Sequence, residues 1–281
     1  MHNCWQITFE PIEELSEEIQ IFLDEYFNVV ACNYTDDGME EYVGYISPDF
    51  DEKDFRKKSK TFNLPKYKAE ALENKNWLTE NVIKFPPLTV GDFSIYGIHE
   101  KNPPKTNKIQ IQIYAATAFG SNHQTTKLCL KSISHLNKTK AGKERILDMG
   151  CGSGILSLAC AKLWNKCQVT AVDIDDEATI VTNQNATDNH VSEKIHASTD
   201  IGYKNVKGSY DIILSNILAR PLVEMSKDLH KHLKKGGFCV LSGFNDEQLD
   251  WVVKSHKEHG LELVKVYKSE NWRAVIMEKK A

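Results

Sequence analysis

Apolar side chains recur every three or four positions between Ile12 and Phe27. Ile12, Leu15, Ile19, Phe22, Leu23 and Phe27 fall along one side, which predicts an amphipathic helix. A strand-like run, CWQITF, precedes it at residues 4–9. Two more strand-like runs follow, Val29 to Tyr34 and Glu41 to Ile46, joined by the turn residues DDG at 36–38. Asp51 to Lys60 reads as a charged helix, and a further strand falls near Lys68 to Leu72. The order β-α-β-β-α-β predicts a small ferredoxin-like α+β sandwich. It carries no visible catalytic cluster, so it reads as a packing or recognition domain.

The pattern changes after residue 73. NKNWLTENVI at 74–83 predicts a short helix, and the alternating IQIQIY at 109–114 predicts a strand. Prolines at 86, 87, 103 and 104 argue for turns and edge strands. The expected organisation is a recognition domain over 1–60, a linker with short connecting strands over 61–114, and a catalytic domain over 115–281. In that last segment apolar runs alternate with helical patterns. Ile146 to Asp148 leads through Gly150-Cys151-Gly152-Ser153-Gly154 into the apolar face of Ile155, Leu156, Leu158, Ala159 and Leu163. CQVTAVDIDD at 167–176 and SYDIILSNIL at 209–218 are two further strand ends of a doubly wound sheet.

The glycine turn lets backbone approach a ligand where a Cβ would collide, and is expected to aim helix N–H groups at it. Its spacing is GxGxG, with Ile155 where the dinucleotide fingerprint GxGxxG needs its last glycine. That disfavours an NAD-dependent dehydrogenase. Asp173 lies 23 residues after Gly150, at the end of the second strand, where a carboxylate can accept both ribose hydroxyls. The competing role for Asp173, Asp175 or Asp176 is to cap the helix beginning near Glu177. Asp148 can brace the loop or reach a positively charged ligand. Asn216 sits at a strand's carboxyl end, where open α/β sheets place their chemistry, or else caps the following helix.

Composition narrows the class. With 281 residues, 41% of them hydrophobic, the chain can bury a sizeable core in more than one domain. A formal net charge of -4 gives no excess of Lys and Arg for a phosphate backbone, so stable binding of naked nucleic acid is not expected. Seven cysteines without a CxxC pair read as free thiols of a reducing compartment, and Cys151 at a helix start is a weak candidate nucleophile. No metal-ligand spacing surrounds His190 or His196, so no metal is expected. No apolar run of membrane-spanning length occurs. A cytoplasmic monomer without a membrane partner is the expectation.

The segments LDMGCGSGILSLACAKL, AVDIDDEA, YDIILSNILARPL, LKKGGFCVLSG and AFGSNHQTTKLCL together resemble the bacterial ribosomal protein L11 methyltransferase (PrmA) family. LENKNW, VGDFSIYGIH and the tail KSENWRAVIMEKK resemble it too. The resemblance implies a Rossmann-like class I methyltransferase domain behind the ferredoxin-like one, with S-adenosyl-L-methionine as cofactor. It implies that Thr126, Gly150, Gly152, Asp173 and Asn216 bind the cofactor, and that Asn216 stands at the methyl-transfer end. Phe119 and Gly120 would belong to a loop over the site. The implied acceptor is ribosomal protein L11, at lysine side chains and its amino terminus. The chain departs from the family's FG-T-G-x-H by one missing residue at Phe119-Gly120-Ser121-Asn122-His123. Enzymes that methylate bases or glutamine amides resemble one another in an NPPY-like motif; here Asn216-Ile217-Leu218-Ala219 lacks its aromatic. A cofactor-binding homologue without turnover is the remaining alternative.

Overall fold

The computed structural model describes residues 2–11, 16, 19, 22–23, 26–27, 29–34, 39–47, 50–62, 64–73, 86–100, 103–114, 123–139 and 143–280. The chain divides into two compact units, Met1–Glu80 and Asn81–Ala281. The first contains β1 (His2–Phe9), β2 (Val29–Tyr34), β3 (Glu40–Ile46), α1 (Glu52–Thr61) and β4 (Tyr67–Glu73). The sheet order is β2-β3-β1-β4 with every neighbour antiparallel, the ferredoxin-like arrangement. Of the helix expected over 12–27, Ile19, Phe22, Leu23 and Tyr26 are helical; its remaining turns and the DDG turn lie largely or wholly outside the described residues. Phe9, Phe22 and Phe27 close around the fully buried Phe55 of α1. Asp51 starts that helix, its carboxylate accepting the N–H groups of Lys53 and Asp54.

The second unit opens with a small sheet of β5 (Leu88–Val90), β6 (Phe93–Gly97) and β7 (Ile109–Ile113). Residues 86–114, read from sequence as connecting strands, are packed into this unit. Phe93, Ile95, Ile111 and Ile113 are buried in one cluster with Cys129, Leu130 and Ile133 of α2 (Gln124–Asn137) and Leu158 and Ala159 of α3 (Ile155–Leu163). The helix expected at 74–83 lies outside the described residues.

The main sheet follows in chain order: β8 (Arg145–Met149), β9 (Gln168–Asp173), β10 (Ile195–Thr199), β11 (Tyr210–Asn216), β12 (Leu233–Asn245), β13 (Leu261–Ser269) and β14 (Trp272–Lys279). Its spatial order is β10-β9-β8-β11-β12-β14-β13. β8 to β12 run parallel, and β14 inserts antiparallel between β12 and β13. Helices α2, α3, α4 (Asp176–Asp188), α5 (Ala219–Glu224), α6 (Ser226–His232) and α7 (Leu249–Glu258) accompany it. The central strands are apolar because both faces are covered: Ile146, Leu147, Ile212, Ile213 and Leu214 have no exposure. The strand order reverses between β8 and β11, which opens a crevice beyond their carboxyl ends.

Candidate active site

At the end of β8 the chain turns through Gly150, Gly152 and Gly154, with φ of +79°, +53° and +75°. L residues resist that left-handed region, which is why glycine stands there. A Cβ on Gly150 would lie 2.2 Å from Cγ2 of Ile217. The N–H groups of the turn are not aimed at a ligand as expected. Those of Gly150 and Cys151 donate to the Val172 carbonyl at 2.7 and 3.1 Å, and that of Gly154 to the Cys151 carbonyl at 2.8 Å. The N–H of Gly152 donates to Oδ2 of Asp173 at 2.8 Å. Strand β9 takes three of these donors and the turn's own Cys151 carbonyl takes the fourth, so the turn serves by its bare shape. That suits a ligand without a pyrophosphate.

Asp148 lies beneath the turn with 1% of its surface exposed. Its Oδ2 accepts the backbone N–H of Ser157 at 3.0 Å and the Ser157 hydroxyl at 2.6 Å, so it braces the start of α3. Its Oδ1 is buried without a partner among the described residues. Burial lifts its carboxyl to about 6 against the Ser157 bonds. Burial also drives the Cys151 thiol well above its ordinary range, which removes the thiolate a nucleophile needs.

Asp173 ends β9 and lines the crevice, its Oδ1 accepting the N–H of Asp175 at 3.2 Å. The cap of α4 is Asp175, which accepts from Glu177. Asn216 is the last residue of β11. The N-cap of α5 is Leu218, so Asn216 does not cap that helix. Its Nδ2 donates to the Thr126 hydroxyl at 3.2 Å, and its Oδ1 is buried without a partner among the described residues. Thr126 lies in the first turn of α2, whose N-cap His123 accepts the Thr125 N–H on Nδ1. Thr126, Gly150, Gly152, Asp173 and Asn216 thus line one cavity of about 1070 Å³. Phe119 and Gly120, with Ser121 and Asn122, lie outside the described residues.

The sequence reading missed other lining residues. Ile174 and Ile201 are large aliphatic side chains left 71% and 67% exposed at successive strand ends. The repeated Asp-Ile pairs, Asp173-Ile174 and Asp200-Ile201, were the available signal. Asp200 itself is engaged in its loop, accepting the N–H groups of Ile201 and Asn205. Trp272 meets the His123 ring edge-on at 4.7 Å, and both line the cavity. Register carries Asn216 across Ser242 to Ala274, and Trp272 stands beyond Ala274 at the carboxyl edge. Only the fold joins two residues so distant in sequence.

The chemistry of this lining fits S-adenosylmethionine. Asp173 retains lone pairs for a ribose diol. Ile174 and Ile201 offer apolar surface for a purine, and the orphaned Oδ1 of Asn216 can accept an N–H. No group of metal-binding side chains occurs among the described residues. Seven strands in this order, with this glycine turn and acidic strand end, define a class I methyltransferase. The chain belongs to the ribosomal protein L11 methyltransferase (PrmA) family, whose pattern it matches over residues 4–280. The ribosomal protein L11 methyltransferase of Brucella suis is 35% identical over 214 residues, 74% of each chain. That of Caulobacter sp. is 30% identical over 213 residues, 75% of this chain and 73% of the relative. A crystal structure of ribosomal protein L11 methylase from Lactobacillus delbrueckii subsp. bulgaricus superposes with a TM-score of 0.61 at 27% identity. It covers 67% of this chain and 94% of its own.

Proposed function

We propose that this methyltransferase modifies amines of ribosomal protein L11, at lysine side chains and the amino terminus, using S-adenosylmethionine. The observation that carries the reading is the buried, unpartnered Oδ1 of Asn216 at the switch point of the sheet. When bound, the cofactor supplies an electrophilic methyl group on a positively charged sulfur and leaves as a neutral thioether. The protein's task is then to orient an uncharged amine. Asp173 accepts the ribose hydroxyls, and the Gly150 and Gly152 backbone gives the cofactor room. Thr126 holds the Asn216 amide, leaving Oδ1 to accept an amine N–H and direct the nitrogen lone pair. His123 and Trp272 wall the acceptor side. The amine sheds its proton to water before it enters.

Residues 1–80 hold the acceptor in this proposal. They contain 18 acidic and eight basic side chains, against 21 and 27 in residues 81–281. An acidic unit attracts a basic protein and repels naked nucleic acid. The five cysteines whose side chains are described are free, which supports a cytoplasmic location. No described helix is long and apolar enough to cross a membrane.

Titration with S-adenosylmethionine and with NAD tests the cofactor assignment. The methionine cofactor binds and NAD does not bind comparably. Asp173→Ala weakens binding at least about tenfold, since a charge-assisted hydrogen bond contributes about 1.5–3 kcal/mol. Equal affinity in wild type and variant would reject the role given to Asp173.

A further inference from the structure

Helix α4 and its C-cap residue Asn189 bury a polar stripe. Thr182 and Asn185 have no exposure and Asn189 has 5%. Their spacing, i, i+3 and i+7, puts them on one face, and each grips the backbone of another segment. The Thr182 hydroxyl lies 3.0 Å from the Gly152 carbonyl oxygen. Asn185 Nδ2 donates to the Ser153 carbonyl at 2.8 Å and to the Tyr114 carbonyl at 3.1 Å, while its Oδ1 accepts the Tyr114 N–H at 2.8 Å. Asn189 Nδ2 donates to the Gln112 carbonyl at 2.6 Å and to the Asn185 carbonyl at 2.8 Å. Its Oδ1 accepts the N–H of Gln112 at 3.0 Å and Lys162 Nζ at 3.1 Å.

The two asparagines, one in α4 and one at its C-cap, share chemistry and burial. They differ in what they hold. Asn189 ties down β7, whereas Asn185 ties the residue after β7 to the glycine turn. With the carbonyls of Gly152 and Ser153 drawn to α4, planar trans peptides leave the turn little freedom. On the preceding peptide, the Gly152 N–H donates to Asp173. The structure assigns to Asn185 a positioning role in cofactor binding: it fixes the glycine turn in the shape the ligand rests against. This rests on the reading of the crevice as the cofactor site. Asn185 is fully buried and is not among the residues that line the cavity, so its effect reaches the cofactor through Ser153 and the turn.

Asn185→Asp and Asn189→Asp test the assignment as a pair. Each replaces a buried NH2 by oxygen and loses two donated bonds. Hydrogen exchange of residues 148–158, S-adenosylhomocysteine affinity and melting temperature are measured in the full chain. Both variants melt lower. Only Asn185→Asp accelerates exchange in the turn and weakens S-adenosylhomocysteine at least about tenfold. Asn185→Ser, which keeps one donor, falls between it and wild type, and stands in if the aspartate variant does not fold. Equal changes in the Asn185 and Asn189 variants, or an unchanged turn in the Asn185 variants, would overturn the assignment. If the wild type bound no S-adenosylhomocysteine, the cofactor reading would fall. The exchange comparison would still decide whether Asn185 holds the turn.

Discussion

At Asn216 one end of a side-chain amide is held by Thr126 and the other is held by nothing in the described protein. Asn216→Asp and Asn216→Ala are therefore expected to fold and to keep much of their cofactor affinity. Both lose single-turnover transfer by about tenfold or more, the scale of a lost transition-state interaction of about 1.4 kcal/mol. Aspartate also stabilises the protonated, unreactive amine. A near-wild-type rate in both would leave Asn216 a packing residue. Asp148 makes a different prediction. Its folded carboxyl titrates at about 6 instead of 3.8, chiefly because burial disfavours its charge. The folded state holds that proton more tightly, so its contribution is complete below about pH 4 and lost as pH rises to about 6. Asp148→Asn should flatten that fall, worth on the order of 3 kcal/mol, in urea unfolding across the same range. Asp173 was legible because strand, turn and acid keep a fixed spacing. Asn216 was ambiguous because cap and strand end differ by only two residues, a difference below what periodicity resolves. Trp272 was illegible because its partner His123 lies on another element.

The elements themselves were legible wherever burial on both faces wrote a plain apolar run. Ile146-Leu147 and Ile212-Ile213-Leu214 are such runs, each followed by a polar residue as the chain nears the crevice. Residues 86–114 were legible as short strands, but not as part of the second unit's core. Their strands are short and flanked by prolines, yet Ile95, Ile111 and Ile113 are wholly buried. Local sequence records the prolines, while burial depends on α2 and α3 arriving later in the chain. The glycine turn misled in its donors, because the Val172 carbonyl and the Asp173 carboxylate that take them belong to the next strand. Gly150→Ala tests its shape. The new Cβ meets Ile217 and the left-handed backbone costs about 1–2 kcal/mol, so both melting temperature and cofactor affinity should fall. A variant that binds cofactor as tightly as wild type would show that the close approach is not needed.

The net charge of -4 conceals a division between the units, acidic in residues 1–80 and basic in residues 81–281. Removing residues 1–80 should leave cofactor binding nearly intact, because the described lining residues lie in the second unit. Methylation of ribosomal protein L11 should drop, and the full-length rate should fall as salt screens the acidic unit. Undiminished methylation by the shortened chain would sink that division of labour. The central claim, amine methylation of ribosomal protein L11 directed by Asn216, is tested most directly by mass spectrometry of that purified protein. It is incubated with S-adenosylmethionine and either wild type or Asn216→Ala. Wild type should add whole-methyl mass increments that fragmentation maps to lysine side chains and the amino terminus, and the variant should add far fewer. Unmodified acceptor with wild type, methyl groups on other residue types, or equal modification by the two proteins would contradict it.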